Sequence, residues 1–115
     1  NAVMTFTFAD GSLGTLSYLS NGDKSLPKER VEVFSGGRVA VLDDFRSLET
    51  INAGNRKRVS SMQQEKGHRA GWQAFLNACR GGGAAPIPYE HLFGVTRASF
   101  AAVRALESGV TEPVA

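Results

Sequence analysis

The clearest structural pattern in the sequence is Arg30-Val-Glu-Val-Phe-Ser-Gly-Gly-Arg-Val-Ala-Val-Leu42. On both sides of its central glycines, residue character alternates with a period of two, which is typical of β-strands. Gly36-Gly37 tolerates the positive φ angles that a tight turn requires. Because strands joined by so short a turn must run antiparallel, the stretch predicts a β-hairpin.

The same alternation recurs outward from this hairpin in both directions. Further strands are predicted, in chain order, at Met4–Phe8, Gly14–Leu19, Phe45–Ile51 and Arg56–Met62. Asp10-Gly11 supplies a turn between the first two of them. The sequence therefore predicts a mostly antiparallel, open sheet of about five to six strands.

After the strands the period changes to that of a helix. Apolar residues recur at helical spacing from Lys66 to Arg80, and Gly81-Gly82-Gly83 then ends the helix. Pro88 suits the first position of a second helix, which Gly109 closes. Strands followed by two helices predict the α+β class, with both helices packed on one face of the sheet.

Length and composition fit one ordinary globular domain. The chain has 115 residues, of which 42% are hydrophobic and 21% charged. We predict a domain at residues 3–109, interpret residues 1–2 as a cloning remnant and residues 110–115 as a frayed tail, and expect the natural protein to extend upstream. No apolar run approaches the ~20 residues of a membrane span and no secretory signal is present, so we expect a cytoplasmic protein with no membrane partner.

The net charge and the small number of metal-binding residues exclude several classes of protein. A net charge of +2 is small for a nucleic-acid-binding domain, and the one dense basic run, Arg56-Lys57-Arg58, has no interleaved aromatic residues. One cysteine and two histidines are too few for a Cys-rich or three-histidine zinc site. We therefore expect neither a nucleic-acid partner nor a metal.

Candidates for catalysis are few. Cys79 lies on the apolar stripe of the first helix, which favours core packing over a reactive thiol. His68 and His91 could each act as a general base, or could each bond a nearby carbonyl or carboxylate. Asp43 and Asp44 are adjacent on a predicted strand and would point to opposite faces, which disfavours paired acid–base chemistry. No catalytic residue is predicted.

The polar loop Ser20–Lys28 is the candidate binding element, because such loops on a rigid scaffold often contact ligands. Two polar residues of the loop and a tyrosine two positions before it are the three candidate substrate-binding residues: Tyr18, Asn21 and Lys24. The alternative is that the loop is only a solvated connection.

Several stretches resemble the C-terminal domain of the Gfo/Idh/MocA oxidoreductases. They are Phe8-Ala-Asp-Gly-Ser-Leu-Gly-Thr-Leu, Asn21-Gly-Asp-Lys-Ser-Leu-Pro-Lys-Glu-Arg-Val-Glu-Val-Phe and Gly36-Gly-Arg-Val-Ala-Val-Leu-Asp-Asp-Phe, with Glu65-Lys-Gly-His-Arg and Ile87-Pro-Tyr-Glu-His-Leu continuing the likeness. The second stretch resembles a narrower subgroup, in which the module can follow a zinc-alcohol-dehydrogenase-like half.

The resemblance implies that cofactor binding and substrate binding belong to two different domains. In that family an N-terminal Rossmann domain binds NAD or NADP, and the α+β domain shapes the pocket for a sugar-like or polyol substrate and builds homo-oligomers through its open sheet. The family's Glu-Lys-Pro lysine and its Asp and His partners have no counterpart in this sequence. The resemblance therefore implies a fragment that is inactive alone and binds no cofactor, with the Rossmann domain as its partner. The alternative is a self-standing α+β assembly module with no catalytic role.

Overall fold

The computed structural model describes residues 1–114, and the last residue of the predicted tail, Ala115, lies outside them. Within the described residues, six strands precede two helices, and every paired strand is antiparallel to its neighbour, which confirms the predicted α+β class and antiparallel pairing. The elements are β1 (Ala2–Thr7), β2 (Leu13–Tyr18), β3 (Arg30–Ser35), β4 (Arg38–Asp43), β5 (Ser47–Asn52), β6 (Asn55–Ser60), α1 (His68–Gly81) and α2 (Tyr89–Ser108).

The strands form two open sheets where the sequence analysis predicted one. β1 pairs with β2, and a separate four-stranded sheet has the order β3-β4-β5-β6. Tight turns close every pairing, whereas pairing β2 with β3 would require closing the long loop between them, at a larger cost in chain entropy. The chain accordingly divides into a first unit, Asn1–Leu19 with the residues from Arg69 onward, and a second unit, Ser20–His68.

Turns with positive φ set the register of the four-stranded sheet. Gly36 and Gly37 join β3 to β4 with φ of 54° and 74°, and Ala53 and Gly54 join β5 to β6 with φ of 47° and 77°. Two central residues with positive φ are characteristic of the type I′ turn, whose twist matches that of the flanking strands. The predicted Gly36-Gly37 turn is thus confirmed.

The register places four apolar residues in one row across the second unit's sheet. Val31 lies opposite Leu42, Leu42 opposite Leu48, and Leu48 opposite Val59. Residues directly opposite each other share a face of the sheet. We call these four residues the apolar row; Val31, Leu48 and Val59 are exposed.

Glycine ends both helices, as predicted, but Pro88 is placed differently. Gly82 follows α1 with φ of 61°, and Gly109 follows α2 with φ of 73° and donates its N–H to the carbonyl of Ala105 at 2.9 Å. Pro88 is the N-cap of α2, with an extended ψ of 141°, so the helix begins at Tyr89. The prediction that Pro88 is the first helical residue was wrong by one position, since its fixed φ suits either position.

The apolar stripe of α1 is exposed, although we expected it to lie against a sheet. Trp72 is 67% exposed, Phe75 51% and Leu76 40%. Cys79 is exposed as well, so its predicted place in a core was wrong. Helical spacing correctly puts these residues on one face, but burial also requires a surface that covers the face.

Little of the chain is buried. Among residues 1–114 the only buried residue is Ala101, at 3% exposure. Within the first unit, the pairing of β1 with β2 is the only extensive contact between described elements. Many large apolar side chains, including Trp72, Phe34 and Val59, therefore remain at the surface.

Replacing Gly37 by Ala should destabilise the hairpin. A Cβ at this position meets no atom within 4 Å, so the cost is that of the left-handed backbone alone. We expect the free energy of unfolding in urea to fall by about 1–2 kcal/mol. Gly22→Ala is the matched control, because Gly22 has no positive φ and equally open surroundings, and it should change this quantity by less than about 0.5 kcal/mol. Equal effects of the two substitutions would contradict the turn assignment.

Candidate functional site

The three predicted substrate-binding residues lie at or near the loop between β2 and β3, and all are exposed. Tyr18 is the last residue of β2 and is 65% exposed. Asn21 and Lys24 lie in the segment that follows. Tyr18 belongs to the first unit and the other two belong to the second, so only Asn21 and Lys24 share a unit.

A local turn orders the part of the loop that carries Lys24. The N–H of Leu26 donates to the carbonyl of Asp23 at 3.2 Å, and the N–H of Ser25 donates to Asp23 Oδ1 at 2.8 Å. Hydrogen bonds from the Ser25 backbone and side chain hold the pKa of Asp23 below its ordinary value. Lys24 occupies a central position of this turn, where its ammonium group can reach a ligand from solvent.

The end of the loop is tied to the turn between β4 and β5. The N–H of Asp44 donates to the carbonyl of Glu29 at 2.7 Å. The Glu29 carboxylate forms an ion pair with Lys66 through its Oε1, and both side chains are about two-thirds buried, at 34% and 32% exposure. The loop that bears Asn21 and Lys24 therefore has a fixed C-terminal end.

The turn between β4 and β5, to which Glu29 is hydrogen-bonded, has a strained backbone. The N–H of Arg46 donates to the carbonyl of Asp43 at 2.9 Å, and the residues between them, Asp44 and Phe45, have φ of 48° and 53°. Aspartate is found in this left-handed region several-fold more often than most residues, whereas a bulky side chain such as that of Phe45 is rare there. Each such residue costs about 1–2 kcal/mol, so surrounding contacts must hold the turn in place.

Those contacts come from the segment between β6 and α1. Gln64 donates through Nε2 to the carbonyl oxygen of Asp44 at 3.0 Å and to its Oδ1 at 2.8 Å. The N–H of Glu65 donates to the Phe45 carbonyl at 3.1 Å, and Lys66 Nζ lies 5.7 Å from the centroid of the Phe45 ring. We call Glu29, Asp44, Phe45, Gln64 and Lys66 the clamp.

The clamp was not predicted from the sequence. Its turn carries no Asn-Gly, Asp-Gly or Gly-Gly pair, which are the usual signals of a turn with two positive φ angles. The stretch Asp43-Asp44 was instead interpreted as part of a strand, whereas β4 ends at Asp43 and Asp44 lies in the turn. Two aspartates followed by an aromatic residue, between two strand patterns, do indicate a turn. This pattern does not identify the contacts of the turn with Gln64 and Lys66.

The histidines do not define a site. His68 is the first residue of α1 and belongs to the second unit, whereas His91 lies in the first turn of α2 in the first unit. No group of three or more His, Cys, Asp or Glu side chains among residues 1–114 is placed to hold a metal ion. Each histidine stays a candidate only on the grounds of its residue type.

Among the described residues, no segment has the Rossmann-type arrangement that forms a dinucleotide site. Such a site needs a strand, a glycine-rich turn and a helix N-terminus in direct succession. Within residues 1–114, β6 is the only strand followed next by a helix, and the connecting segment 61–67 contains one glycine, Gly67.

Neither described helix has the length and apolar character that crossing a membrane requires. No family model, curated protein or solved structure matches the chain.

The ion pair in the clamp should make the stability depend on pH. The hydrogen bond from Lys66 holds the pKa of Glu29 below its ordinary value, so the pair stabilises the fold above that ordinary value. Its contribution is lost as the pH falls through the lowered folded-state pKa. We expect the stability difference between the wild-type chain and Glu29→Gln to be constant above about pH 5 and to vanish in more acidic solution, as measured by urea unfolding at several pH values.

Glu107→Gln is the control for this experiment, because the carboxylate of Glu107 makes no hydrogen bond or ion pair among the described residues and should show no such difference. A carboxyl carbon titration of Glu29 gives its pKa directly. A pKa at or above the ordinary value of glutamate would contradict the clamp.

Proposed function

We propose that this chain is the C-terminal domain of an NAD(P)-dependent oxidoreductase of the Gfo/Idh/MocA type, where it binds a sugar-like or polyol substrate and forms oligomers. The observation that carries the proposal is that three of the resembling stretches each contain an ordered turn. Asp10-Gly11-Ser12 forms the turn of the first hairpin, with Ser12 Oγ donating to Asp10 Oδ1 at 2.7 Å. Asp23 begins an ordered turn, and Gly36-Gly37 closes the second hairpin.

The candidate residues suit recognition of hydroxyl groups. The Asn21 amide, the Lys24 ammonium and the Tyr18 hydroxyl are all hydrogen-bond donors, and the amide and the phenol also accept. The clamp fixes the end of the loop that carries Asn21 and Lys24, which lowers the entropic cost of ordering the loop around a ligand. In the parent enzyme the nicotinamide would exchange hydride, and this chain would bind and orient the substrate.

Exposed apolar surface supports the oligomer-forming part of the proposal. The apolar row spans the four-stranded sheet, with Leu48 at 41% and Val59 at 71% exposure. Burial of such side chains against a second surface contributes roughly 25 cal/mol per Å². The same row favours the second candidate function, a self-standing assembly module without a catalytic role.

Hydride transfer separates the two candidates. We expect the full-length parent to reduce NAD or NADP in the presence of a sugar or polyol, followed by absorbance of the reduced nicotinamide, and this chain alone to show no turnover. An assembly module predicts no transfer with either cofactor and any member of such a substrate panel. That result would contradict the proposed function.

Three single substitutions in the full-length parent test the binding residues. Tyr18→Ala, Asn21→Ala and Lys24→Ala should each lower kcat/KM by about tenfold, which corresponds to the loss of one hydrogen bond. Lys28→Ala is the control for Lys24→Ala, because it removes the same charge from the same loop without changing a candidate residue. Unchanged kinetics in all three variants would remove these residues from the site and leave the enzyme class untouched.

A further inference from the structure

A second group of polar side chains meets at the hairpin end of the four-stranded sheet. Arg38 lies opposite Asn52, Asn52 lies opposite Asn55, and Thr50 lies opposite Lys57. Thr50 and Asn52 are two residues apart on β5, so the alternation of a strand puts all five on one face. We call Arg38, Thr50, Asn52, Asn55 and Lys57 the donor patch.

Shallow depressions adjoin the donor patch. Two open depressions, of about 440 and 420 Å³, both have Thr50 and Asn52 in their walls. Arg38 borders the first depression, while Asn55 and Lys57 border the second. A ligand seated over Thr50 and Asn52 therefore lies between an arginine and a lysine.

The charges of this patch are unbalanced. Among residues 1–114, neither Arg38 nor Lys57 forms an ion pair, and no carboxylate belongs to the patch. The acidic residue of the neighbouring row, Glu49, alternates to the other face of β5 and pairs with Arg56 at 2.9 Å. Two cations thus remain uncompensated beside three neutral hydrogen-bonding side chains.

We propose that the donor patch binds the oxyanion of a small ligand, a phosphate or a carboxylate group. Guanidinium and ammonium groups form charge-assisted hydrogen bonds with such oxygens, and the guanidinium of Arg38 can donate two in parallel. The Asn52 and Asn55 amides and the Thr50 hydroxyl add neutral donors. Side chains directly opposite in a sheet have Cβ atoms about 5 Å apart, so Arg38 on β4 and Lys57 on β6 start on the order of 10 Å apart, a distance that their long side chains can close around one oxyanion. This site does not depend on the proposed oxidoreductase function.

Titration of the isotopically labelled chain tests the site. Inorganic phosphate and acetate are added separately at constant ionic strength, with chloride as the reference anion, and backbone amide shifts are followed by NMR. We expect saturable shifts at the donor patch with at least one of the two oxyanions, and the preferred one identifies the group. Shifts that do not saturate, or that chloride reproduces, would overturn the proposal.

Two variants test whether the side chains of the donor patch bind the oxyanion. Arg38→Ala should raise the apparent Kd by about tenfold, as expected for one charge-assisted contact. Asn52→Asp preserves side-chain shape and places a carboxylate at the centre of the patch, so it should weaken binding at least as much. Arg97→Ala, which removes one positive charge from exposed α2, should leave the Kd unchanged. Equal Kd values for the wild type and the first two variants would contradict the site.

Discussion

Backbone hydrogen bonding between strands adjacent in sequence holds both sheets together, because almost no side chain is buried enough to do so. Ala101 is the only buried residue among those described, yet six strands pair over their full lengths. Each pairing is closed by a turn whose backbone enters the left-handed region, at Gly11, Gly36-Gly37, Asp44-Phe45 or Ala53-Gly54. Glycine reaches that region without strain, whereas Phe45 needs the clamp. The turns are therefore the constraint on which register, sheet faces and both proposed sites depend.

Because the turns fix the register of the strands, they also determine where polar and apolar side chains lie on the sheet. A fixed register puts Val31, Leu42, Leu48 and Val59 in one row and gathers the donor patch at the other end of the same sheet face. The clamp converts a strained turn into an anchor for the loop that carries the candidate substrate residues. Binding groups thus lie on ordered backbone, while the apolar surface remains available for association.

Features encoded in short stretches could be predicted from the sequence. The Gly36-Gly37 hairpin, the α+β order and the stop of α2 at Gly109 follow from local patterns whose physics is confined to a few residues. The division into two sheets was not predicted, because alternation specifies strands but not which strands meet across a long loop. The exposure of Cys79 was missed for a related reason, since periodicity identifies a face and says nothing of what covers it. The contact of Gln64 with Asp44 joins residues far apart in sequence and has no local signature.

Association through exposed apolar surface is the claim that links this structure to a function, and the mass of the chain in solution tests it most directly. Light scattering across a concentration series should give a mass above the 12.3 kDa of one chain, rising with concentration, and Leu48→Lys in the apolar row should return the mass toward that value. A wild-type chain that stays at 12.3 kDa at high micromolar concentration would contradict the account.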